Sequence, residues 1–233
     1  MKIKTPDIML VDSLNALFPK YNFETKTGSV TISENDEKAK VKEIKFLHDE
    51  FISIEPTIVK DFSSFFQKAG SPNFFNQDSD GIIIFEWKNQ KYIFIIEMKS
   101  KFDTKEIFKA RQQIVSSYIK LYTILNMISD YEKDKYICRG IIVCLEPNED
   151  KLNWLYRSNQ LPDTNPEKKM HIFASKLVFL RHTIITKEMC TDVVKYKLSC
   201  QCMFDQLTFS FIGVAENSSC EVSVRELLCK SAI

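Results

Sequence analysis

Two short stretches, GIIIFEW at Gly81–Trp87 and KYIFIIEMK at residues 91–99, constrain this chain more than anything else in it. Both are rich in β-branched and aromatic residues, the types that pack well on a pleated surface. Both are apolar at consecutive positions rather than alternate ones, the pattern of strands covered on both faces. The polar pair Asn89-Gln90 between them reads as a hairpin turn, though a weaker one than Asn-Gly. A hairpin buried on both sides needs a layer of structure above it and another below. The chain has 233 residues, 44% hydrophobic and 27% charged, enough to supply those layers in one domain without disulfides or a structural metal.

The flanking segments are candidates for those layers. Residues 104–128 carry Ile107, Ile114, Tyr118, Leu121, Leu125 and Ile128 at helical spacing, and Asp103 with Glu106 three residues on resembles a capping box. Tyr136–Leu145 (YICRGIIVCL) is a further buried-strand pattern. Strand, long helix and strand make a parallel crossover unit, expected to be right-handed. Upstream, residues 7–18 read as a short amphipathic helix. Residues 41–54 place Val41, Ile44, Leu47, Phe51 and Ile54 at three- and four-residue intervals, which predicts a helix, although EIKFLHDEFISI also alternates as a strand would. Pro56 opens a helix to about Lys68, closed by Gly70-Ser71-Pro72. Beyond Pro147, residues 150–158 read as a short helix and 161–169 as a loop. MHIFASKLVFL, VVKYKLSCQC and QLTFSFIGVA read as strands. The expected fold is α/β: a single domain over residues 1–233, with a mixed central β-sheet flanked by helices. Its core lies at about 40–146, and residues 166–233 either extend the same sheet or form a β-rich C-terminal extension.

Three charged residues stand where the hairpin's apolar runs begin and end: Asp80 before the first, Glu97 and Lys99 closing the second. Alternation along a strand puts Glu97 and Lys99 on one face with Ile95. With Asn89-Gln90 as a two-residue loop, Asp80 stands opposite Lys99 and Ile82 opposite Glu97, so the three charges converge on one patch. A loop one residue longer or shorter throws Asp80 to the other face. Two neighbouring carboxylates repel, and both stay ionised most readily when they share a divalent cation. Hard oxygen ligands favour Mg²⁺ or Mn²⁺ over zinc. Such an ion polarises a phosphate and lowers the pKa of a bound water. The compact ammonium of Lys99 suits holding that water or stabilising a pentavalent phosphate. Asp80 and Glu97 are therefore candidate metal ligands, and with Lys99 a candidate centre for phosphodiester hydrolysis. The plain alternative is a surface hairpin with cross-strand ion pairs. Charges gathered at one end of strands buried on both faces speak against it.

At these residues the sequence resembles the PD-(D/E)XK, or restriction-endonuclease-like, nuclease superfamily. Asp80-Gly81 precedes an apolar run, an apolar strand ends in Glu97-Met98-Lys99, and the helix and strand that follow match the family's core order over residues 40–146. Ser79 stands where the motif's name has proline. The resemblance implies an Mg²⁺-dependent nuclease, with DNA favoured over RNA, working in restriction, phage defence or repair as a homodimer or beside a partner subunit. RecB-type members carry a glutamine on the helix after ExK and a tyrosine four residues later. Here Gln112 and Gln113 fall in that region, with Tyr118 six and five residues on, so Gln113 is an imperfect match to an auxiliary catalytic residue. Exposed helix filler is the other reading. Lys101, Lys105, Lys109 and Gln113 line a face that would follow a phosphate backbone or simply meet solvent. Family members often add an acid from the first core helix; Glu43, Glu50 and Asp61 all stay open, and Asp78 either caps its loop or assists the metal. The alternative function is a non-catalytic subunit that binds nucleic acid or protein within a larger defence or repair complex.

Other features exclude more than they assign. No stretch approaches the roughly 18 apolar residues of a membrane span, and MKIKTPDIML predicts no secretory signal. Five glycines leave little room for a Gly-rich phosphate loop. Seven cysteines, odd in number and scattered, fit free thiols in a reducing cytosol, hence a cytoplasmic chain. Cys190, Cys200, Cys202, Cys220, His171 and His182 contain no CxxC pair of the zinc-site kind. Asp80 and Glu97 could pose as a glycosidase pair, but the adjacent Lys99 fits phosphate better than an oxocarbenium ion. The formal charge of +1 is silent on nucleic acid.

Overall fold

The computed structural model describes residues 8–21, 23–34, 36–129, 131–158, 160–216 and 220–230. Residues 1–7, which carry most of the signal-peptide reading and the first position of the expected N-terminal helix, lie outside them. In chain order the elements are α1 (Ile8–Leu17), β1 (Glu24–Ser33), β2 (Glu43–Ile54), α2 (Thr57–Lys68), β3 (Gly81–Trp87), β4 (Gln90–Lys99), α3 (Thr104–Leu125) and β5 (Tyr136–Leu145). They continue with α4 (Glu149–Ser158), α5 (Lys168–Leu180), β6 (His182–Thr186), α6 (Thr191–Val194), β7 (Gln206–Val214), β8 (Cys220–Ser223) and α7 (Val224–Lys230).

The strands form one mixed sheet in the order β1-β2-β3-β4-β5-β7-β6, with β8 added against β2. β1 to β4 are antiparallel neighbours, β4, β5 and β7 run parallel, and β6 closes the far edge antiparallel. The strand–helix–strand unit β4-α3-β5 is the crossover the sequence predicts. Asp103 caps α3, its side chain accepting from the Lys105 N–H at 2.9 Å.

Each face of the sheet has its own apolar layer. On one, α3 lays Ile107, Ile114, Tyr118, Leu121 and Leu125 against the strands, and α1, α2, α4 and α5 extend that layer. On the other, Ile83, Phe85, Phe94, Ile96, Ile141 and Val143 are covered by Val30, Ile32, Ile44 and Phe46 of the β1–β2 ribbon and by Val224 and Leu228 of α7. The ribbon is thus hydrogen-bonded to the sheet through the end of β2 and folded over its face through the remainder. A register shift at Thr27/Gly28 marks the ribbon, and Gly28 takes a φ of +80° there, a conformation glycine adopts without strain. The fold brings Ile32 over the start of β3: a Cβ on Gly81 would lie 2.6 Å from Ile32 Cδ1. The hairpin is thus buried on both sides, as its sequence requires.

Three expectations need correction. Residues 43–54 form strand β2, not a helix; pairing with β1 and β3 overrides the three- and four-residue spacing, and Ile44, Phe46, Phe51, Ile52 and Ile54 are all buried. MHIFASKLVFL lies in helix α5, which buries His171, Phe173, Ala174, Ser175, Leu177 and Val178, a helical period that its bulky residues disguise. VVKYKLSCQC is not a strand: it leaves α6 through turns. Of the two readings of the C-terminal region, the structure has the one in which it extends the sheet: β7 joins beside β5, β8 joins β2, and helices account for much of the remainder.

Candidate active site

The hairpin turn is Lys88-Asn89, one residue earlier than Asn89-Gln90. Both residues have positive φ, +52° and +62°, the geometry of a type I′ turn. Trp87 therefore pairs with Gln90, and Gly81 with Ile96. The register moves by two residues, which preserves every side chain's face. Asp80 consequently stands beside Glu97 instead of Lys99. Its backbone N–H donates to the Ile96 carbonyl at 2.9 Å, and its Oδ2 accepts from the Met98 N–H at 2.7 Å.

At this end of β4, side chains alternate between the two layers. Ile96 and Met98 enter the layer under the ribbon, whereas Glu97 and Lys99 point to the α3 side. Lys99 Nζ donates to Glu97 Oε1 and to Gln113 Oε1, each at 2.7 Å. Gln113 Nε2 in turn donates to the Asp78 carbonyl at 2.8 Å. Asp80, Glu97, Lys99 and Gln113 are thus gathered at one place by the ends of two strands and one turn of α3.

Their electrostatics are unbalanced. Glu97 is 2% exposed, and its second oxygen, Oε2, has no hydrogen-bond partner. Burial, then the field of Asp80, pushes its carboxyl up to about 8, against the opposing pull of Lys99. Burial also lifts Asp80 above the ordinary carboxylate range, while the hydrogen bond from Met98 and the charges of Lys99 and Lys60 work the other way. Among the described residues, the Lys99 ammonium in contact with Glu97 faces one buried acid and one half-buried acid.

Sequence reasoning missed several residues here. Glu34, just past β1, raises both acids through its charge, and the charge of Lys60 on α2 acts on Asp80 in the opposite direction. Only the folded-over ribbon brings Glu34 near, so no local signal marks it. Of the candidate upstream acids, Glu43 and Glu50 lie on β2 and Asp61 on α2. Glu43 is exposed and pairs with Ser33 at the ribbon's tip, Glu50 pairs with Thr27, and Asp61 accepts from the Tyr21 hydroxyl. Gln112 contacts Asp192 at 3.1 Å, away from the cluster. Lys101, Lys105 and Lys109 are exposed, and Lys105 meets Glu167 at 3.4 Å. Beside Asp80 opens a cleft of about 350 Å³, lined among others by Lys26, Ser33, Ser53, Glu55 and Pro56.

The pair Asp80–Glu97 suits a hard divalent cation: two carboxylates side by side, one buried oxygen without a partner, and too little positive charge. Among the described residues no group of three or more His, Cys, Asp or Glu is placed to hold a metal ion. Mg²⁺ commonly takes only one or two carboxylates and completes its shell with water and substrate phosphate. Among the described residues no helix is long and apolar enough to cross a membrane. Compared with known proteins, the chain matches no family model, no curated protein and no solved structure.

Proposed function

We propose that this chain is a metal-dependent nuclease of the PD-(D/E)XK type, acting on DNA in preference to RNA. The supporting observation is the pair of acids, buried Glu97 and half-buried Asp80, held at one end of the hairpin with Lys99 in contact with Glu97 and Glu97 Oε2 left over. Mg²⁺ or Mn²⁺ held by Asp80 and Glu97 would supply Lewis-acid activation of the phosphate and of a water. The remaining chemistry falls to the chain. Glu97 must give up its proton, which burial and Asp80 hold on it near neutral pH. Lys99, fixed by Glu97 and Gln113, presents an ammonium where charge builds on the phosphate oxygens in the transition state. Gln113 keeps that ammonium aimed, because its other end is tied to the Asp78 carbonyl. Restriction, phage defence or repair is the setting we propose, with a second copy or a partner subunit sharing the contact with nucleic acid.

The test is cleavage of plasmid and single-stranded DNA with Mg²⁺, Mn²⁺ or EDTA, comparing the wild type with Lys99→Ala. Metal-dependent cutting that drops about a hundred- to a thousand-fold in the variant is the expected result. Equal cutting by both proteins would place the activity elsewhere. A second reading, a non-catalytic binding subunit, draws on the absence of a third ligating side chain beside the pair among the described residues. It predicts DNA or protein binding with no cutting under any metal.

A further inference from the structure

The turn that carries Asp80 is gripped from the side by one face of α3. Gln113 donates to the Asp78 carbonyl at 2.8 Å, Ser117 Oγ accepts from the Ser79 N–H at 2.9 Å, and Lys120 Nζ donates to the Gln77 carbonyl at 2.6 Å. These three residues are spaced four and three apart, so they stack along one stripe of the helix. Lys120 is the unusual member. Its side chain is 0% exposed, and its ammonium also contacts Asp78 Oδ1 and Ser63 Oγ, each at 2.5 Å. Three oxygens meet its three N–H donors, so the group is satisfied. Burial nonetheless lowers its pKa, with Asp78 opposing. A well-packed apolar residue would serve stability as well or better at such a site. The ammonium therefore needs another reason to be there.

The turn supplies that reason. Ser79, the residue before Asp80, is 1% exposed and lacks the fixed φ that a proline would impose. Its N–H instead donates to Ser117, a bond a proline could not make. Backbone rigidity that could have come from a ring here comes from α3. Resting on the proposed metal-binding role of Asp80, we infer that Lys120 is a positioning residue. By holding the Gln77 carbonyl and the Asp78 carboxylate, it fixes the turn so that the Asp80 carboxylate faces Glu97.

The experiment is Mn²⁺ titration by calorimetry on wild type and Lys120→Met, with a thermal melt and amide hydrogen exchange on each. The expected result is a folded variant whose Mn²⁺ affinity is about ten- to a hundred-fold weaker, with faster exchange at Ser79 and Asp80 than at β4 and β5. A folded variant with affinity within two-fold of wild type and unchanged exchange at those amides overturns the inference. Should Lys120→Met fail to fold, Ser117→Ala removes only the acceptor for the Ser79 N–H. It should weaken Mn²⁺ several-fold and loosen the same two amides, and no change in either would overturn the clamp. A wild type that binds no Mn²⁺ counts against the nuclease reading alone. Exchange at Ser79 and Asp80 in the two variants then decides the positioning role by itself.

Discussion

Two lysine–carboxylate pairs flank the turn at residues 77–80, and they differ in how completely they are matched. Lys120 with Asp78 is closed: one charge of each sign, with every ammonium proton on an oxygen. Lys99 with Glu97 is open: a second acid adjoins it, and one Glu97 oxygen has no partner. The closed pair is a fastening. The open pair is the candidate site, because a charge deficit at a buried point is what a cation would relieve.

Breaking each pair on its acidic side should have opposite effects on stability. Asp78→Ala strands a buried ammonium and should destabilise the fold by about 3–5 kcal/mol, read by urea denaturation. Glu97→Gln removes a buried acid that repels its neighbour, so it should stabilise the metal-free protein at pH 8 by a few kcal/mol, roughly. Cleavage should be lost in the same variant.

The sign of the second effect follows from titration. The Glu97 carboxyl lies at about 8 in the fold against an ordinary 4.5, so between those values the folded state keeps a proton that the unfolded state releases. This group's contribution is full below pH 4.5 and is lost as pH rises through 8. Thermal melts of wild type and Glu97→Gln should therefore converge near pH 4 and diverge toward pH 8. Parallel curves would mean that Glu97 is not held protonated.

Smaller changes sharpen the contrast. Gln113→Ala removes the link between the two pairs, since that side chain touches both Lys99 and the Asp78 carbonyl. It should cost about 1–2 kcal/mol of stability and lower kcat about ten-fold with little change in KM, measured by steady-state cleavage. The smallest effect is expected at the hairpin tip. Asn89→Gly, at a φ of +62°, should raise stability by less than about 1 kcal/mol in a thermal melt and leave cleavage unchanged.

The hairpin, α3 and β5 were legible because their signals are local: consecutive apolar residues, a capping aspartate, a clean helical period. The pairing of Asp80 with Glu97 instead of Lys99 was not, because Lys88 and Asn89 both adopt positive φ without a glycine to announce it. Lys120 and Ser117 do carry a local signal, as polar residues inside the buried run IVSSYIKLY of α3. Glu34 left none, because its approach depends on the ribbon folding over the sheet. Nor could MHIFASKLVFL be told from a strand by residue type alone; α5 is settled by packing on α3 and α4.

The pairing of β2 with β8 also fixes an order of events during synthesis. Lys45 and Glu221 meet at 2.7 Å across 176 residues of chain. At roughly 5–20 residues per second, the ribbon waits on the order of ten to thirty seconds for that partner to emerge. The hairpin and α3 are close in sequence and can collapse together long before then. The acids at the strand end can therefore be in place while the outer edge of β2 still presents free backbone groups, the kind of edge on which unfinished chains associate. The short strand at residues 220–223 covers that edge over residues 44–47 once it arrives.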